Sequence, residues 1–192
     1  LILLFYLGNT NLFAQDLTIK QLITKAENAI FTVFAADEQG NTFSQGSGFF
    51  ISAQGVGITN YHVLDGAHTD LVKFQVENTN LKSFNYLHIS YRTQVKGEQI
   101  INISSPLGLE QTVSTGIISS IRTDEMHGSI LQITAPISHG SSGSPVMDMK
   151  GNVVGIATFC REGGQSLNFA VNATQISKLS HKRNISVSQM NT

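Results

Sequence analysis

Cysteine occurs once, at Cys160, so no internal disulfide can brace this chain. It follows an apolar strand and is read as a small packing residue. The charges nearly cancel, with 12 basic against 13 acidic side chains, which excludes the electrostatic footprint of a nucleic-acid binder. The basic cluster at 178–183 is short and reads as a solvated helix face. No set of His, Cys, Asp and Glu has metal-ligand spacing. His62 and His68 are six apart, off the i,i+4 spacing that puts two ligands on one helix face. No metal and no cofactor are expected. Tryptophan is absent, and no repeat or low-complexity tract stands out. The apolar run Leu1-Ile2-Leu3-Leu4-Phe5-Tyr6-Leu7 is too short to span a bilayer.

Glycine is plentiful, at 17 residues, and hydrophobic residues make up 41%, as in a turn-rich β protein. Leu12-Phe13-Ala14-Gln15 has the character of a secretory signal's end, with cleavage near Ala14 or Gln15. Residues 1–15 are therefore expected to be a signal remnant, and the protein to be exported, periplasmic or extracellular. Leu17, Ile19, Leu22, Ile23, Ala26 and Ile30 repeat at helical spacing, and Thr18-x-x-Gln21 has the pattern of a capping box. A strand over 31–35 follows. Turn signals at 37–41, 53–55, 123–128, 148–152 and 161–165 divide the rest into strands. Such spacing predicts barrels rather than an α/β sheet. A closing helix is predicted over 172–183. One domain, 16–183, with a tail at 184–192, fits this length.

Two segments carry chemistry. Gly140-Ser141-Ser142-Gly143-Ser144-Pro145 has no helix formers and lies between apolar runs. Glycine permits positive φ or a close approach, and proline then fixes φ and ends the loop. Such a loop can hold one hydroxyl exposed over a pocket with N–H groups nearby; an ordinary Gly/Ser turn has the same composition. Upstream, Thr59-Asn60-Tyr61-His62-Val63 places a histidine just past an apolar strand. A base and a nucleophile far apart in sequence, each at a strand end, is how a Ser–His site is assembled across two subdomains.

With these segments, Gly46-Ser47-Gly48-Phe49, Ser105-Pro106-Leu107-Gly108, Gln111-Thr112-Val113-Ser114-Thr115-Gly116-Ile117-Ile118-Ser119, Gly151-Asn152-Val153-Val154-Gly155-Ile156 and Asn168-Phe169-Ala170-Val171 follow in order. The chain thereby resembles the trypsin-like serine proteases of the HtrA/DegP type, from about Leu17 to Leu179. The resemblance implies an all-β fold of two six-stranded antiparallel barrels with short helices at the N- and C-terminal ends. It implies Ser142 as nucleophile, His62 as general base, and the N–H groups of Gly140 and Ser142 as oxyanion donors. In the family an aspartate orients the histidine, and Thr69-Asp70-Leu71-Val72-Lys73-Phe74-Gln75-Val76 matches that segment, which makes Asp70 the third member; Asp65 fits a surface position. Asp70 follows His62 by only eight residues, where the family has roughly two dozen more. The first barrel is therefore expected to lack a hairpin, with the jump at His68–Thr69, leaving an open edge.

By the same resemblance, Pro136, Ile137, Thr158, Phe159 and Cys160 shape the substrate pocket. None is charged, so a small or medium apolar side chain is expected before the scissile bond. Ser141 stands where zymogen-type relatives carry an aspartate, so activation by N-terminal cleavage is not expected. With the sequence ending at Thr192, no PDZ domain is expected after the protease domain. Expected partners are peptides or unfolded proteins, with a homotrimer as the family's common assembly, no nucleic acid and no membrane span after signal removal. Two functions stand: a serine endopeptidase serving protein quality control, and a catalytically inactive trypsin-fold module that holds peptides without cutting them.

Overall fold

The computed structural model describes residues 16–37, 39–65, 71–76, 82–105, 111–124, 128–160 and 167–179. Helix α1, Ile19–Ala26, starts where the capping box places it. The Thr18 side chain accepts from the Gln21 N–H, and the Gln21 side chain accepts in return from the Thr18 N–H. The helix buries Leu22 and Ala26 and runs through a short 3-10 turn, Glu27–Ala29, into β1, Ile30–Ala36. Strands β2, Thr42–Phe50, β3, Val56–Asn60, and β4, Leu71–Gln75, complete an antiparallel sheet in the order β1-β2-β3-β4. A one-turn helix α2, Tyr61–Asp65, leaves the end of β3.

The rest of the chain forms a closed barrel. After β5, His88–Ile89, come β6, Gln99–Ser104, β7, Thr112–Asp124, β8, Gly128–Ile133, β9, Pro145–Asp148, β10, Asn152–Cys160, and β11, Asn168–Asn172. The pairing runs β11-β8-β7-β6-β9-β10, and β10 pairs again with β11 to close six antiparallel strands, with β5 parallel on the outside of β10. Closure leaves β5 as the one edge strand of this half among the described residues. The first half is the shortened one: among the described residues it is a four-stranded sheet, not a six-stranded barrel.

Two apolar clusters hold the halves. Ile100, Ile118, Leu131, Ile133, Val146 and Val154 fill the closed barrel. A second cluster joins α1 and both sheets through Leu22, Phe49, Ile58, Leu87, Ile101, Met147 and Ile156. On the first sheet's other face, Phe31 stacks against Phe50 at 4.6 Å between ring centroids, and Phe50 against Phe84 at 4.4 Å. Phe31 lies over Gly48, Phe74 over Gly57 and Phe84 over Gly55, where any Cβ would strike the ring.

The turn signals at 37–41, 53–55 and 148–152 fall at real turns, with positive φ at Gly40, Gly55 and Gly151; the signal at 161–165 and the centre of that at 123–128 lie outside the described residues. The predicted closing helix is present in its described part, wound tighter than an α-helix. Its described part is a 3-10 helix, Ala173–Lys178, capped by the Asn172 side chain accepting from the Thr174 N–H. Thr and Ser are weak helix formers, and Ser177 Oγ donates back to the Thr174 carbonyl, a local bond that competes with α-helical pairing.

Phe49 is fully buried in the cluster that joins the two halves. Phe49→Ala should lower unfolding stability by about 3–5 kcal/mol, whereas Phe34→Ala, at an exposed ring of the same sheet, should stay within about 0.5 kcal/mol. Urea unfolding of both variants checks this.

Candidate active site

The serine loop consists of two tight turns that share Ser141. The Ser141 N–H donates to the Ser138 carbonyl at 2.9 Å, and the Ser144 N–H donates to the Ser141 carbonyl at 3.0 Å. The third residue of each turn is a glycine at φ +88, Gly140 in the first and Gly143 in the second. A type II turn needs that conformation there, which L residues avoid. Pro145 then opens β9. The glycines of the motif are thus explained by the backbone alone.

The second turn plugs into the first sheet. The ladder between β2 and β3 ends at Phe49 opposite Ile58. Gly143 sits where the strands part. A Cβ on it would lie 2.1 Å from the Ser47 carbonyl oxygen and 2.5 Å from Thr59 Oγ1. The Ser47 N–H donates to the Ser142 carbonyl at 2.8 Å, and the Gly143 N–H donates to the Ala157 carbonyl at 2.8 Å. The peptide after Ser142 is therefore held by one half at its oxygen and by the other half at its nitrogen.

The same seam brings in His62. It lies on α2, half-buried, directly after the strand end. A Cβ at Gly46 would come within 2.5 Å of Val63 Cγ2 and 2.9 Å of the Ser142 carbonyl oxygen, so the residue after His62 and the backbone of Ser142 flank one glycine. Asp70 lies outside the described residues. Its successor Leu71 pairs with Asn60 in the β3–β4 ladder, two residues before His62.

Ser142 Oγ donates to the Thr158 carbonyl at 3.0 Å. Thr158 is the extra residue of a bulge in β10, since Ala157 faces Ala170 while Phe159 faces Phe169. A bulge re-aims the groups it carries. The Thr158 side chain is buried, its hydroxyl donating to the Ile156 carbonyl and accepting from Asn60 Nδ2 at 3.2 Å. What Thr158 presents to Ser142 is thus its carbonyl. Pro136 is exposed, its carbonyl taking the Ser114 hydroxyl at 2.7 Å, and Ile137 packs half-buried against the barrel core. Both precede the first turn. Phe159 and Cys160 pair with β11, and their side chains lie outside the description.

Among the described residues, no acceptor takes the N–H of His139, Gly140 or Ser142, whereas those of Ser141, Gly143 and Ser144 are all bonded. Sequence reasoning missed the polar layer beneath this loop. Ser47 Oγ donates to the Gly140 carbonyl at 2.7 Å and accepts from the Ser105 N–H at 3.0 Å. The Ser105 hydroxyl meets Thr32 Oγ1 at 2.7 Å, and Ser141 Oγ donates to Ser104 Oγ at 3.2 Å. The available signal was hydroxyl residues at inward strand positions, Ser47 between two glycines foremost.

Residues 67–156 match the trypsin-like peptidase domain. The chain is 33% identical over 163 residues to a protein of Pseudomonas savastanoi pv. phaseolicola named "Probable periplasmic serine endoprotease DegP-like", covering 70% of this chain and 34% of that one. It thus spans about a third of that relative's length. A crystal structure of the serine endoprotease from Yersinia pestis superposes with a TM-score of 0.70 at 27% identity, covering 84% of this chain and 64% of that one. An HtrA-type protease, AlgW with tripeptide, shares the fold at a TM-score of 0.72 and 23% identity, covering 84% of this chain and 62% of that one.

Gly143→Ala should strain the backbone and drive a methyl group into the Ser47 carbonyl. The left-handed conformation alone costs about 1–2 kcal/mol, and the contact adds to it, so a loss of about 3 kcal/mol or more is expected by thermal or urea unfolding.

Proposed function

Because this chain belongs to the trypsin-like serine proteases of the HtrA/DegP type, we propose that it is a serine endopeptidase working through an acyl-enzyme. The observation that carries this reading is the serine loop. Its peptides are fixed by hydrogen bonds from both halves, and among the described residues the N–H groups of Gly140 and Ser142 meet no acceptor. Ser142 is the nucleophile and those N–H groups are the oxyanion donors. Losing one such donor costs about 100- to 1,000-fold in rate.

His62 is the general base and Asp70 its orienting partner. The Ser142 hydroxyl has one proton, which the Thr158 carbonyl holds in this structure. For attack, the side chain turns from that carbonyl to His62. The Ser142 oxygen bonds to the peptide carbonyl carbon as His62 takes its proton. His62 then returns the proton to the leaving amine, and water releases the acyl group by the same route. The register of Leu71 against Asn60 supports Asp70 in its role, since it draws the start of β4 towards the strand end that carries His62.

Substrates are peptides or unfolded proteins, with a small or medium apolar residue beside Pro136 and Ile137. Export to the periplasm or beyond rests on the apolar leader and on the periplasmic name of the Pseudomonas relative. No described helix is long and apolar enough to cross a membrane. The second reading, a peptide-binding module that does not cut, draws on the four-stranded first sheet, which is the half that must place His62.

The purified chain should react with a fluorophosphonate probe, and Ser142→Ala should abolish the reaction. No labelling of a folded wild-type chain would overturn the protease reading in favour of the binding module. In a labelling chain, Asp70→Asn should slow the reaction by a factor of up to about 10⁴, the cost of losing tautomer control in the template enzyme; an unchanged rate would remove Asp70 from the site.

A further inference from the structure

Gly140 and Ser142, the oxyanion donors of the protease reading, are gripped through their carbonyls by one buried side chain and its backbone. Ser47 is fully buried on β2. Its hydroxyl donates to the Gly140 carbonyl at 2.7 Å and its N–H donates to the Ser142 carbonyl at 2.8 Å. A serine hydroxyl has a single proton. The Ser105 N–H donates to the Ser47 oxygen at 3.0 Å and so occupies one of its lone pairs, which leaves the proton directed at Gly140. Ser47 is held in turn, because Thr59 Oγ1 donates to its carbonyl at 2.8 Å. No freedom is left in the grip.

From this geometry we infer that Ser47 is a positioning residue for the oxyanion site, setting the spacing and orientation of Gly140 and Ser142 from the opposite half of the molecule. The inference rests on the protease reading above and adds a residue to it. The turn's own bond from Ser141 to Ser138 closes the loop on itself but does not tie it to anything. The Ser142 carbonyl is tied to β2 by the Ser47 N–H, which any residue at 47 except proline would supply. The Gly140 carbonyl is tied by the hydroxyl, which alanine would not supply. Ser47→Ala therefore removes the tie to the Gly140 carbonyl and the acceptor of the Ser105 N–H, while the Ser47 N–H still holds the Ser142 carbonyl and Ser141 Oγ still reaches Ser104 Oγ. Transition-state stabilisation depends on donors that are already aimed when charge develops, so a loosened Gly140 acts on the chemical step and not on ground-state binding.

Two readouts test it in Ser47→Ala, and Thr32→Val serves as control, since it removes the contact with the Ser105 hydroxyl in the same polar layer without touching Gly140. Amide hydrogen exchange at Ser141, whose N–H shares a peptide with the Gly140 carbonyl, should rise by about threefold to tenfold, the worth of one net hydrogen bond. Fluorophosphonate labelling should slow by about tenfold, less than the outright loss of a donor. Thr32→Val should leave both values near wild type. Ser47→Cys, similar in size with only a weak donor, should reproduce both changes and covers the case in which the alanine variant fails to fold. Unchanged exchange at Ser141 overturns the grip itself. Raised exchange with an unchanged labelling rate overturns its link to the oxyanion site. A wild-type chain that does not label, but whose Ser141 amide still responds to Ser47→Ala, overturns the protease reading while supporting the grip.

Discussion

Everything at this site hangs on two backbones meeting without a side chain between them. Strands β2 and β3 separate after Phe49 and Ile58, and the turn carrying Ser142 enters the mouth they leave. Glycine at 143 lets the turn approach the Ser47 carbonyl, and glycine at 46 lets Val63 and the Ser142 carbonyl come together. Any Cβ at either position would push the two halves apart. The histidine-bearing helix α2 and the serine loop would then sit on separate units. The contact is polar and directional, so it fixes a geometry as well as a distance. An apolar contact of the same area would resist separation but tolerate sliding.

The two clusters of buried apolar residues show how the labour is divided. The closed barrel is filled by its own side chains and needs nothing from the first sheet. The mixed cluster around Phe49, Ile58, Ile101 and Met147 presses the sheet onto the barrel. Between them lies the layer of hydroxyls from Thr32, Ser47, Ser104, Ser105 and Ser141, almost all of it bonded within the protein. Hydrophobic burial supplies the force that closes the seam, and the hydroxyls supply register. A buried polar layer is tolerable only when its members are bonded, and that requirement turns a soft interface into a stiff one.

How much of this was legible in the sequence depends on the range of the cause. The capping box at Thr18 and Gln21, the glycine turns at Gly40, Gly55 and Gly151, and the double turn around Ser142 all follow from local chemistry, and the structure shows them. The motif order that identified the family is also local, segment by segment. The hydroxyl layer is not. Thr32, Ser47 and Ser105 are ordinary strand residues in sequence, and only the packing of one half on the other brings them within 3.0 Å of a partner. The bulge at Thr158 escaped notice for the same reason. One surplus residue in β10 becomes visible only against the register of β11. The closing helix was legible but its 3-10 winding was not, for a local reason: polar residues that can pattern as a helix also bond to their own backbone and tighten the turn.

The short connection between His62 and β4 is the feature that sets this chain apart, and the sheet order shows why it can be tolerated. β4 is the direct neighbour of β3, paired from Val56 opposite Gln75 to Asn60 opposite Leu71. Strands lying between these two in sequence need not lie between them in space. A hairpin inserted there would leave and rejoin at nearly the same place, so removing it leaves the β3–β4 ladder intact. The alignment with the Pseudomonas relative fits this: its 163 positions exceed the 70% of this 192-residue chain that they engage, so the relative carries residues with no counterpart here. What the removal sacrifices is closure. On its outer face the open sheet carries the aromatic rings Phe31, Phe50, Phe74 and Phe84, with Phe31 over Gly48, Phe74 over Gly57 and Phe84 over Gly55. Rings packed on glycine backbone give a large buried area from few residues. The half of the fold that must hold His62 is in this way reduced to the strands that touch the seam, together with the rings that cover their far side.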